Sequence, residues 1–350
     1  MRLFNTLLFV MFALSANAAD GTVGTVSVQK GNNVSVNGEA PLSLTLDGKD
    51  HQSCQFLSKR APDESHEFTW KEVTTTRGGE LAEILGDQLR SVDSLVVKGY
   101  VNDKDFHAMW DASLYGYLSV INLKNAVLEN NAVPDTAFFH ENEQYEGSSH
   151  EIFYYIGLRK IILPEGLEKI GEGAFYQASA LRQVNFPSTL RYIGDFAFNA
   201  TKLEMNQLVI PEGVEEINQY AFAFCRKLKA QVTLPSTIKK IGEWAFYGCP
   251  ITSINLPEGL ESLGSLAFWD CDLREVSIPS SCHEFNEGWQ FGFNRNLEKM
   301  HLPEGMTEIP DHFAVDCFRL REVYFPHTLK HIGEKAFSLC ISFLNSATLL

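Results

Sequence analysis

A sequence unit of about 23 residues recurs eight times between residues 158 and 340, and this repetition constrains the fold more than any other feature. Two clear copies are LRKIILPEGLEKIGEGAFYQA, which begins at Leu158, and ITSINLPEGLESLGSLAFWDC, which begins at Ile251. The steps between units are 23, 24, 24, 22, 22, 24 and 23 residues, counted on Pro164, Pro187, Pro211, Pro235, Pro257, Pro279, Pro303 and Pro326. A fixed period in this range, headed by L-x-x-L-x-L, predicts a solenoid.

Each repeat is expected to contribute one short strand, because its head alternates inward apolar residues with polar ones. Proline has no N–H to donate and therefore ends the strand pairing. Strands of successive repeats then stack as a parallel sheet on one face of a mainly β repeat solenoid. Phenylalanine recurs in phase and predicts an internal ladder of rings: Phe175, Phe198, Phe222, Phe246, Phe268 and Phe337.

The column seven residues after each proline holds glycine or asparagine in seven of eight repeats, with Pro310 as the exception. Glycine and asparagine tolerate positive φ best, so this column predicts a left-handed backbone. Repeats six and seven depart from the pattern. Trp289 and Gln290 stand where alanine and phenylalanine are expected, and Phe313-Ala314 inverts the usual pair. We expect an irregular bulge over 286–316, produced either by a recognition role or by compensating sequence drift.

Five cysteines lie fourteen residues after their proline: Cys225, Cys249, Cys271, Cys317 and Cys340. Other repeats fill the same position with Ala178 or Thr201. An exported protein invites disulfides, but a column that is only partly cysteine favours buried free thiols that act as small apolar side chains. Cys54 lies outside the array, and no cysteine spacing matches a zinc site.

The N-terminus has the features of a secretory signal peptide. Arg2 precedes an apolar run from Leu3 to Leu14, and Ala16-Asn17-Ala18 supplies a small-residue cleavage site, so we expect export and cleavage after Ala18. No later stretch is apolar for long enough to span a membrane. The expected organisation is a signal peptide at 1–18, a small β unit and linker at 19–75, an N-terminal cap with divergent repeats at 76–150, eight repeats at 151–340 and a tail at 341–350. Within the β unit, we expect a hairpin around Gly31-Asn32-Asn33 and an extended linker from Lys59 to Arg77.

The formal net charge of −15 disfavours nucleic acid as a partner, since phosphate binding requires clustered Lys and Arg. We find no H-E-x-x-H, no G-x-S-x-G and no phosphate-binding glycine loop in the chain. The ten histidines show no metal-ligand spacing. We therefore expect a non-enzymatic protein without cofactor or metal.

The repeat consensus L-x-x-I-x-L-P-x-x-L-x-x-I-G-x-x-A-F-x-x-C resembles the BspA-type leucine-rich repeat. The lead-in ELAEILGD…LVVKGYVND, from Glu80 to Asp103, is similar to the segment that precedes such arrays in exported proteins of Bacteroides-like bacteria. The resemblance covers about residues 80–340 and implies a leucine-rich repeat array with a curved sheet. It also implies a secreted, periplasmic or cell-surface binding protein, in some members an adhesin for host matrix proteins or other bacteria. It supplies no catalytic motif and no fixed ligand-binding residues.

Strand residues that do not face the core line one exposed face of a solenoid, and they are the candidates for partner binding. The candidates are Lys160, Gln183, Asn185, Gln207, Asn255, Glu275, Lys299, His301, Glu322 and Tyr324. Tyr324 and the charged side chains favour a protein ligand. The amide-rich middle would equally suit a glycan. A third alternative is self-association through the C-terminal end, where residues 341–350 carry no charge.

Overall fold

The computed structural model describes residues 66–139 and 156–342, together with the backbone of five strands that lie outside these ranges. The chain divides into one unit made of Met1–Phe68 and His140–Gly157 and another made of Thr69–Phe139 and Leu158–Leu350. The expected signal peptide, Cys54 and residues 343–350 lie outside the described residues. The proposed division of the chain at residues 75, 150 and 340 remains a prediction.

The first unit contains the five strands of which only the backbone is described. They are β1 (Gly24–Gln29), β2 (Asn33–Gly38), β3 (Leu44–Thr45), β4 (Gln55–Leu57) and β9 (Ile152–Tyr154). Strand β1 pairs with β2 in antiparallel register, which confirms the two strands of the predicted hairpin. Strand β3 joins the same sheet in parallel to β1, and β4 pairs in parallel with β9.

The described residues of the second unit contain two complete α-helices, helical residues at 341–342, two short 3-10 turns and short parallel strands. The helices are α1 (Leu81–Leu85) and α2 (Asp103–Tyr115), and the 3-10 turns span Gly86–Gln88 and Glu129–Asn131. The strands are β5 (Trp70–Thr75), β6 (Ser94–Val101), β7 (Val120–Leu128), β8 (Ala132–Val133), β10 (Lys160–Ile162), β11 (Lys169–Ile170), β12 (Gln183–Val184), β13 (Tyr192–Ile193), β14 (Gln207–Val209), β15 (Glu216–Ile217), β16 (Gln231–Thr233), β17 (Lys240–Ile241), β18 (Ser253–Asn255), β19 (Ser262–Leu263), β20 (Glu275–Ser277), β21 (Glu284–Phe285), β22 (Lys299–His301), β23 (Glu308–Ile309), β24 (Glu322–Tyr324) and β25 (His331–Ile332).

Each repeat contributes two strands, one before its proline and a two-residue strand after it. The strands before the prolines, with β5, β6 and β7 from the preceding part of the chain, form sheets in the orders β12-β10-β7-β6-β5, β14-β16-β18 and β20-β22-β24. The strands after the prolines, with β8 from the preceding part of the chain, form sheets in the orders β21-β19-β17-β15-β13-β11-β8 and β23-β25. The predicted parallel solenoid is therefore confirmed. The second strand was not predicted, because two residues are too short to give an alternating pattern.

The predicted extended linker from Lys59 to Arg77 is wrong for its C-terminal part, which contains strand β5. Residues 70–75 instead pair in parallel with β6 along their whole length. Val73 and Thr75 are buried, and the Thr75 hydroxyl donates to the carbonyls of Lys98 and Tyr100. Polar residues such as Thr75 can lie in a strand when their side chains form hydrogen bonds within the sheet. The polar composition of this segment therefore resembled that of a linker.

The predicted phenylalanine ladder runs through the core. Ring centroids are 5.2 Å apart between Phe175 and Phe198 and 5.3 Å apart between Phe222 and Phe246, with the planes nearly parallel. The described part of the ladder begins one repeat earlier, at Phe138, which stacks on Phe175 at 5.4 Å. At the other end Phe337 is only half-buried and contacts Phe325 edge-on at 5.9 Å.

The prediction of positive φ in the glycine column was wrong. Among the described glycines, the column members Gly171, Gly194, Gly242, Gly264 and Gly333 have no positive φ. They are glycine because there is no room for a side chain. A Cβ at Gly194 would lie 2.6 Å from the Glu172 amide nitrogen, and one at Gly242 would lie 2.8 Å from the Asn218 carbonyl carbon. This column therefore sets the distance between repeats.

Positive φ occurs two residues later and is adopted by bulky side chains. Phe196, Tyr220 and Trp244 have φ values of 56°, 55° and 58°. Their amides donate to carbonyls of the next repeat, for example Phe196 N–H to Gln219 O at 2.9 Å and Tyr220 N–H to Glu243 O at 2.9 Å. This inter-repeat bonding holds each left-handed residue in place against its conformational cost.

Repeat six contains one extra residue before its ladder ring, which corrects the expected substitution pattern. Phe291 lies in the ladder at 5.6 Å from Phe268, while buried Gln290 occupies the alanine position. Trp289 takes the outward left-handed position with φ of 66°. The inverted pair in repeat seven is confirmed, and Phe313 meets Phe291 edge-on at 5.4 Å.

The cysteines of the array are free and buried, as predicted: Cys225, Cys249, Cys271, Cys282, Cys317 and Cys340. The cysteines of the column are nevertheless more than apolar filler. The Cys249 thiol donates to Phe222 O at 2.9 Å, and the other column thiols donate equivalently to the preceding repeat. In repeat six Asn294 replaces the thiol, and its Nδ2 donates to Phe268 O at 2.7 Å.

Alternate repeats carry different turn sequences, and hydrogen bonds join them in pairs. Each Pro-Glu-Gly repeat is followed by a repeat with Ser or His, then Thr or Ser, after its proline. Gly213 N–H donates to Thr237 Oγ1 at 2.9 Å, Thr237 Oγ1 donates to Val214 O at 2.9 Å, and Ser236 donates to Glu212. The same bonds recur between Gly166 and Thr189, Gly259 and Ser281, and Gly305 and Thr328. The structural unit is therefore a pair of repeats.

Candidate functional site

The strand face is the exposed surface of the strands that precede the eight prolines, from β10 to β24. Inward residues such as Ile161, Leu208 and Val232 are buried, and their neighbours on either side point outward. Strand register aligns these outward residues into two rows, as in the alignment of Gln207 with Gln231 and Ser253. All ten predicted partner residues lie on this face.

The C-terminal third of the strand face is charged and bonded within itself. Lys299 Nζ lies 3.0 Å from Glu322 Oε2, which also accepts the Tyr324 hydroxyl at 3.0 Å. His301 stacks on Tyr324 with ring centroids 4.2 Å apart and lies 3.4 Å from Glu275. Five of the predicted partner residues are therefore already engaged with one another.

These contacts perturb the titration of the charged groups. The hydrogen bond from Lys299 lowers the pKa of Glu322, with the Tyr324 hydroxyl adding to the effect, and the same pairing raises the pKa of Lys299. Hydrogen bonding to Glu322 raises the pKa of Tyr324. The groups are solvent-exposed, so the network orients side chains and contributes little to stability.

Asn185 has a structural role that its position in the sequence did not reveal. Its Oδ1 accepts Leu163 N–H at 2.7 Å, and its Nδ2 donates to Leu163 O at 3.0 Å. The side chain thereby continues the ladder where strand β12 stops after two residues. A partner that bonded to this amide would compete with both contacts.

The middle of the strand face is uncharged. Strands β14, β16 and β18 form a sheet of their own whose outward side chains are Gln207, Val209, Gln231, Thr233, Ser253 and Asn255. All six are exposed, and Val209 is 53% exposed. Within the described ranges, none of the five polar side chains makes a hydrogen bond or ion pair to the protein. We name these six residues the uncharged row; it offers unused donors and acceptors beside one apolar side chain.

Four of these six residues were not among the predicted partner residues: Val209, Gln231, Thr233 and Ser253. The signal for them was present, since each occupies the same column position as a chosen residue. Lys160 and Gln183 lie at the N-terminal end of the rows and pair in register with each other. Lys160 forms no ion pair with any residue in the described ranges, so it is the positive charge at that end of the uncharged row.

The strand face offers hydrogen bonding and shape, and we find no arrangement for bond-breaking chemistry among its residues. Across residues 66–139 and 156–342, no group of three or more His, Cys, Asp or Glu side chains is placed to hold a metal ion. Burial raises the pKa of the thiols of Cys249, Cys271 and Cys317 well above the usual value, which suppresses their nucleophilic thiolate forms.

The profile of the BspA-type leucine-rich repeat region matches residues 148–232 and 229–343, with six copies, and so covers more than half of the chain. The chain belongs to the BspA-type leucine-rich repeat family. The family resemblance predicted from the repeat consensus is confirmed. No functionally curated protein matches the chain.

Solved structures of other leucine-rich repeat proteins are similar to this chain. One is a leucine-rich repeat protein from Bacteroides ovatus, with 17% identity and a TM-score of 0.46, covering 91% of each chain. Another is a leucine-rich cell surface protein from Faecalibacterium prausnitzii, with 17% identity and a TM-score of 0.36, covering 86% of this chain and 87% of its own. The T. pallidum leucine-rich repeat protein is 26% identical over 39% of this chain and 77% of its own, with a TM-score of 0.33.

The described helices bear on membrane attachment. The longest, α2, has 13 residues. No helix within the described ranges combines the length and apolar character that crossing a bilayer requires.

Proposed function

We propose that this BspA-type leucine-rich repeat protein is an exported, non-enzymatic binding protein whose strand face recognises a protein partner. The observation that carries the proposal is the uncharged row on β14, β16 and β18, whose amides and hydroxyls are exposed and unused. A rigid sheet that presents such groups at fixed spacing pays little ordering entropy on binding. Val209 adds an apolar contact at one end of the row, on the outer strand β14.

The partner is proposed to be a host matrix protein or a bacterial surface protein. The test uses purified proteins of these two classes, immobilised separately, and measures the dissociation constant of the mature chain for each. The face variant is Gln207→Ala/Gln231→Ala/Asn255→Ala. The control variant is Glu284→Ala/Thr307→Ala/Lys330→Ala, which changes exposed residues outside the strand face.

At least one immobilised protein is expected to bind, and the face variant is expected to weaken that binding about tenfold or more. The control variant is expected to bind as the unaltered chain does. An equal loss of affinity in both variants, or unchanged affinity in the face variant, would show that the strand face is not the binding surface.

A glycan partner is the second candidate, and the same row supports it. Amide and hydroxyl groups without charge suit neutral sugars, whose hydroxyls both donate and accept hydrogen bonds. Neutral oligosaccharides titrated into the mature chain distinguish this candidate. Saturable binding that the face variant abolishes would favour a glycan, particularly when no immobilised protein binds.

Self-association through the C-terminal end is the third candidate. Several exposed apolar side chains belong to the last described repeats: Phe318, Tyr324, Phe325, Ile332, Leu339 and Ile341. Light-scattering mass measured over a range of concentrations tests it. A mass that rises with concentration supports self-association, whereas a constant monomer mass refutes it.

Export is proposed from residues 1–18 and leads to a secreted, periplasmic or cell-surface location. The expected mature N-terminus is Ala19. N-terminal sequencing of the protein recovered outside the cytoplasm tests this directly. A chain that retains Met1 in the cytoplasm would overturn the export proposal.

A further inference from the structure

A second surface runs along the turns that follow the second strands, away from the strand face residues. It combines carboxylates eight residues after the proline with the aromatic side chains that follow them. We name it the carboxylate–aromatic edge and define it by Glu172, Asp195, Glu243, Glu287, Asp311, Phe196, Tyr220, Trp244, Trp289 and His312.

The aromatic residues of the edge are held outward by the backbone. All five have positive φ, between 55° and 66°. Phe196 stacks on Tyr220 at 4.7 Å, Tyr220 stacks on Trp244 at 5.3 Å, and Trp289 stacks on His312 at 3.9 Å. Tyr220 is 9% exposed and the other four are half-buried. Because neighbouring rings cover each other's faces, the edge presents ring rims and leaves little face on which a sugar could stack.

The carboxylates of the edge carry charge that the chain does not neutralise. None of the five forms an ion pair with a residue in the described ranges, whereas Glu334, at the equivalent position of the last repeat and outside the edge, pairs with Lys335 at 2.9 Å. Asp195 and Asp311 each accept a backbone N–H of the next repeat, from Gln219 at 3.0 Å and from Glu334 at 2.6 Å. Glu243 accepts from the Gln219 side chain at 3.2 Å. Negative charges one or two repeats apart repel one another, so a positively charged ligand would relieve the repulsion.

The arrangement of the carboxylates distinguishes between two kinds of cation. They follow a line with at most one per repeat, one or two repeats apart, which is about 5 or 10 Å, and no three in the described residues converge as metal ligands would. A line of charge matches a chain with distributed positive charge better than a single ion. We propose that the carboxylate–aromatic edge binds a lysine- or arginine-rich extended segment of a partner protein. The aliphatic stems of these side chains pack on the ring rims, and their charged ends meet the carboxylates.

The probe is a synthetic peptide of about 12 residues in which lysine alternates with serine, long enough to span roughly 40 Å when extended. Binding is measured by titration calorimetry at about 50 mM salt, where exposed charges are weakly screened. The edge variant is Glu172→Gln/Glu243→Gln/Glu287→Gln. The control variant is Glu67→Gln/Glu83→Gln/Asp87→Asn, which removes the same number of exposed carboxylates outside the edge.

The edge variant is expected to weaken peptide binding at least about fivefold, and the control variant less than about twofold. Quenching of tryptophan fluorescence on binding is expected in the unaltered chain and is expected to be lost in the edge variant. Equal weakening in both variants would show that the net charge of −15 attracts the peptide, and the proposal would fall. Failure of the unaltered chain to bind would also overturn it. Neither result bears on binding at the strand face.

Discussion

At the scale of the residue, each column is set by the backbone of the repeat before it. The glycine column has no space for a Cβ, and the cysteine column must supply a donor to a buried carbonyl. Both requirements come from backbone groups of the preceding repeat, for example Glu172 N for Gly194 and Phe222 O for Cys249. A column therefore reports contact between repeats more than local conformation.

The space requirement predicts unequal effects of substitution at two glycines. Gly194→Ala is expected to destabilise the fold by about 1–3 kcal/mol, since its Cβ would lie 2.6 Å from a backbone nitrogen. Gly173→Asn is expected to cost less than about 1 kcal/mol, because asparagine tolerates the φ of 57° there and the nearest side-chain atom lies at 3.6 Å. Urea unfolding of both variants provides the comparison. The reverse order of stabilities would show that the column is set by φ.

The buried thiols predict a loss of stability in alkali. Burial raises the pKa of Cys249, Cys271 and Cys317 in the folded chain, whereas unfolding returns each thiol to about 8.5. Above that pH the unfolded state binds fewer protons than the folded one, so the free energy of unfolding falls as pH rises. Each thiol contributes a slope of up to about 1.4 kcal/mol per pH unit.

Urea unfolding between about pH 8 and pH 10 measures this slope. The Cys249→Ser variant provides the control, because serine keeps a donor for Phe222 O without titrating in this range. A shallower slope is expected in that variant. A flat profile in the unaltered chain would contradict the thiol argument.

The sequence was a good guide to residues whose role repeats with the array. Phe222 and Cys249 were correctly placed in the core, because one apolar residue per repeat at fixed phase must face inward. The reasoning failed at Gly194, since glycine serves both positive φ and lack of space and the sequence does not separate the two. It also failed at Gln290, because one inserted residue shifted the alignment of repeat six. It missed the role of Asn185, whose bonds to Leu163 depend on where strand β12 ends.

At the scale of the element, the repeat pair is the unit that hydrogen bonds define. The Pro-Glu-Gly turns recur in the sequence at intervals of 46 or 47 residues, and they alternate with turns in which Ser or His, then Thr or Ser, follows the proline. In one of these pairs, Glu215 and Glu216 also form ion pairs with Lys239 and Lys240 of the next repeat. We therefore expect the two repeats of a pair to unfold together.

The hydrogen bonds that join the two repeats of a pair predict which of two threonines matters for stability. Thr237→Val is expected to destabilise the fold by about 1–2 kcal/mol, because it leaves Gly213 N–H and Val214 O without their partner. Thr233→Val, on the strand face, is expected to change stability by less than about 0.5 kcal/mol. Chemical denaturation of the two variants measures both. Similar losses of stability in the two variants would mean that the hydrogen bonds of the Thr237 hydroxyl contribute no net stability.

At the scale of the whole molecule, the described residues form two surfaces of the solenoid that differ in their polar and charged side chains. The strand face has an uncharged middle and a charged end that is bonded within itself, whereas the carboxylate–aromatic edge keeps its charge unpaired. The rows of the strand face could be derived from the repeat period. The sequence could not show which residues of these rows remain free to bind a partner, because that depends on side-chain contacts between neighbouring strands.

The claim that the uncharged row binds the partner can be tested by blocking it at one point. In a Cys54→Ser background the remaining native cysteines are buried, so a thiol introduced by Gln231→Cys is selectively labelled with a bulky maleimide. Lys330→Cys, on an exposed residue outside the strand face, provides the matched control. The measurement is the affinity of each labelled chain for the immobilised protein that the unaltered chain binds. The account predicts that the label at position 231 abolishes binding and that the label at position 330 leaves it unchanged. Full binding with the label at position 231 would contradict it.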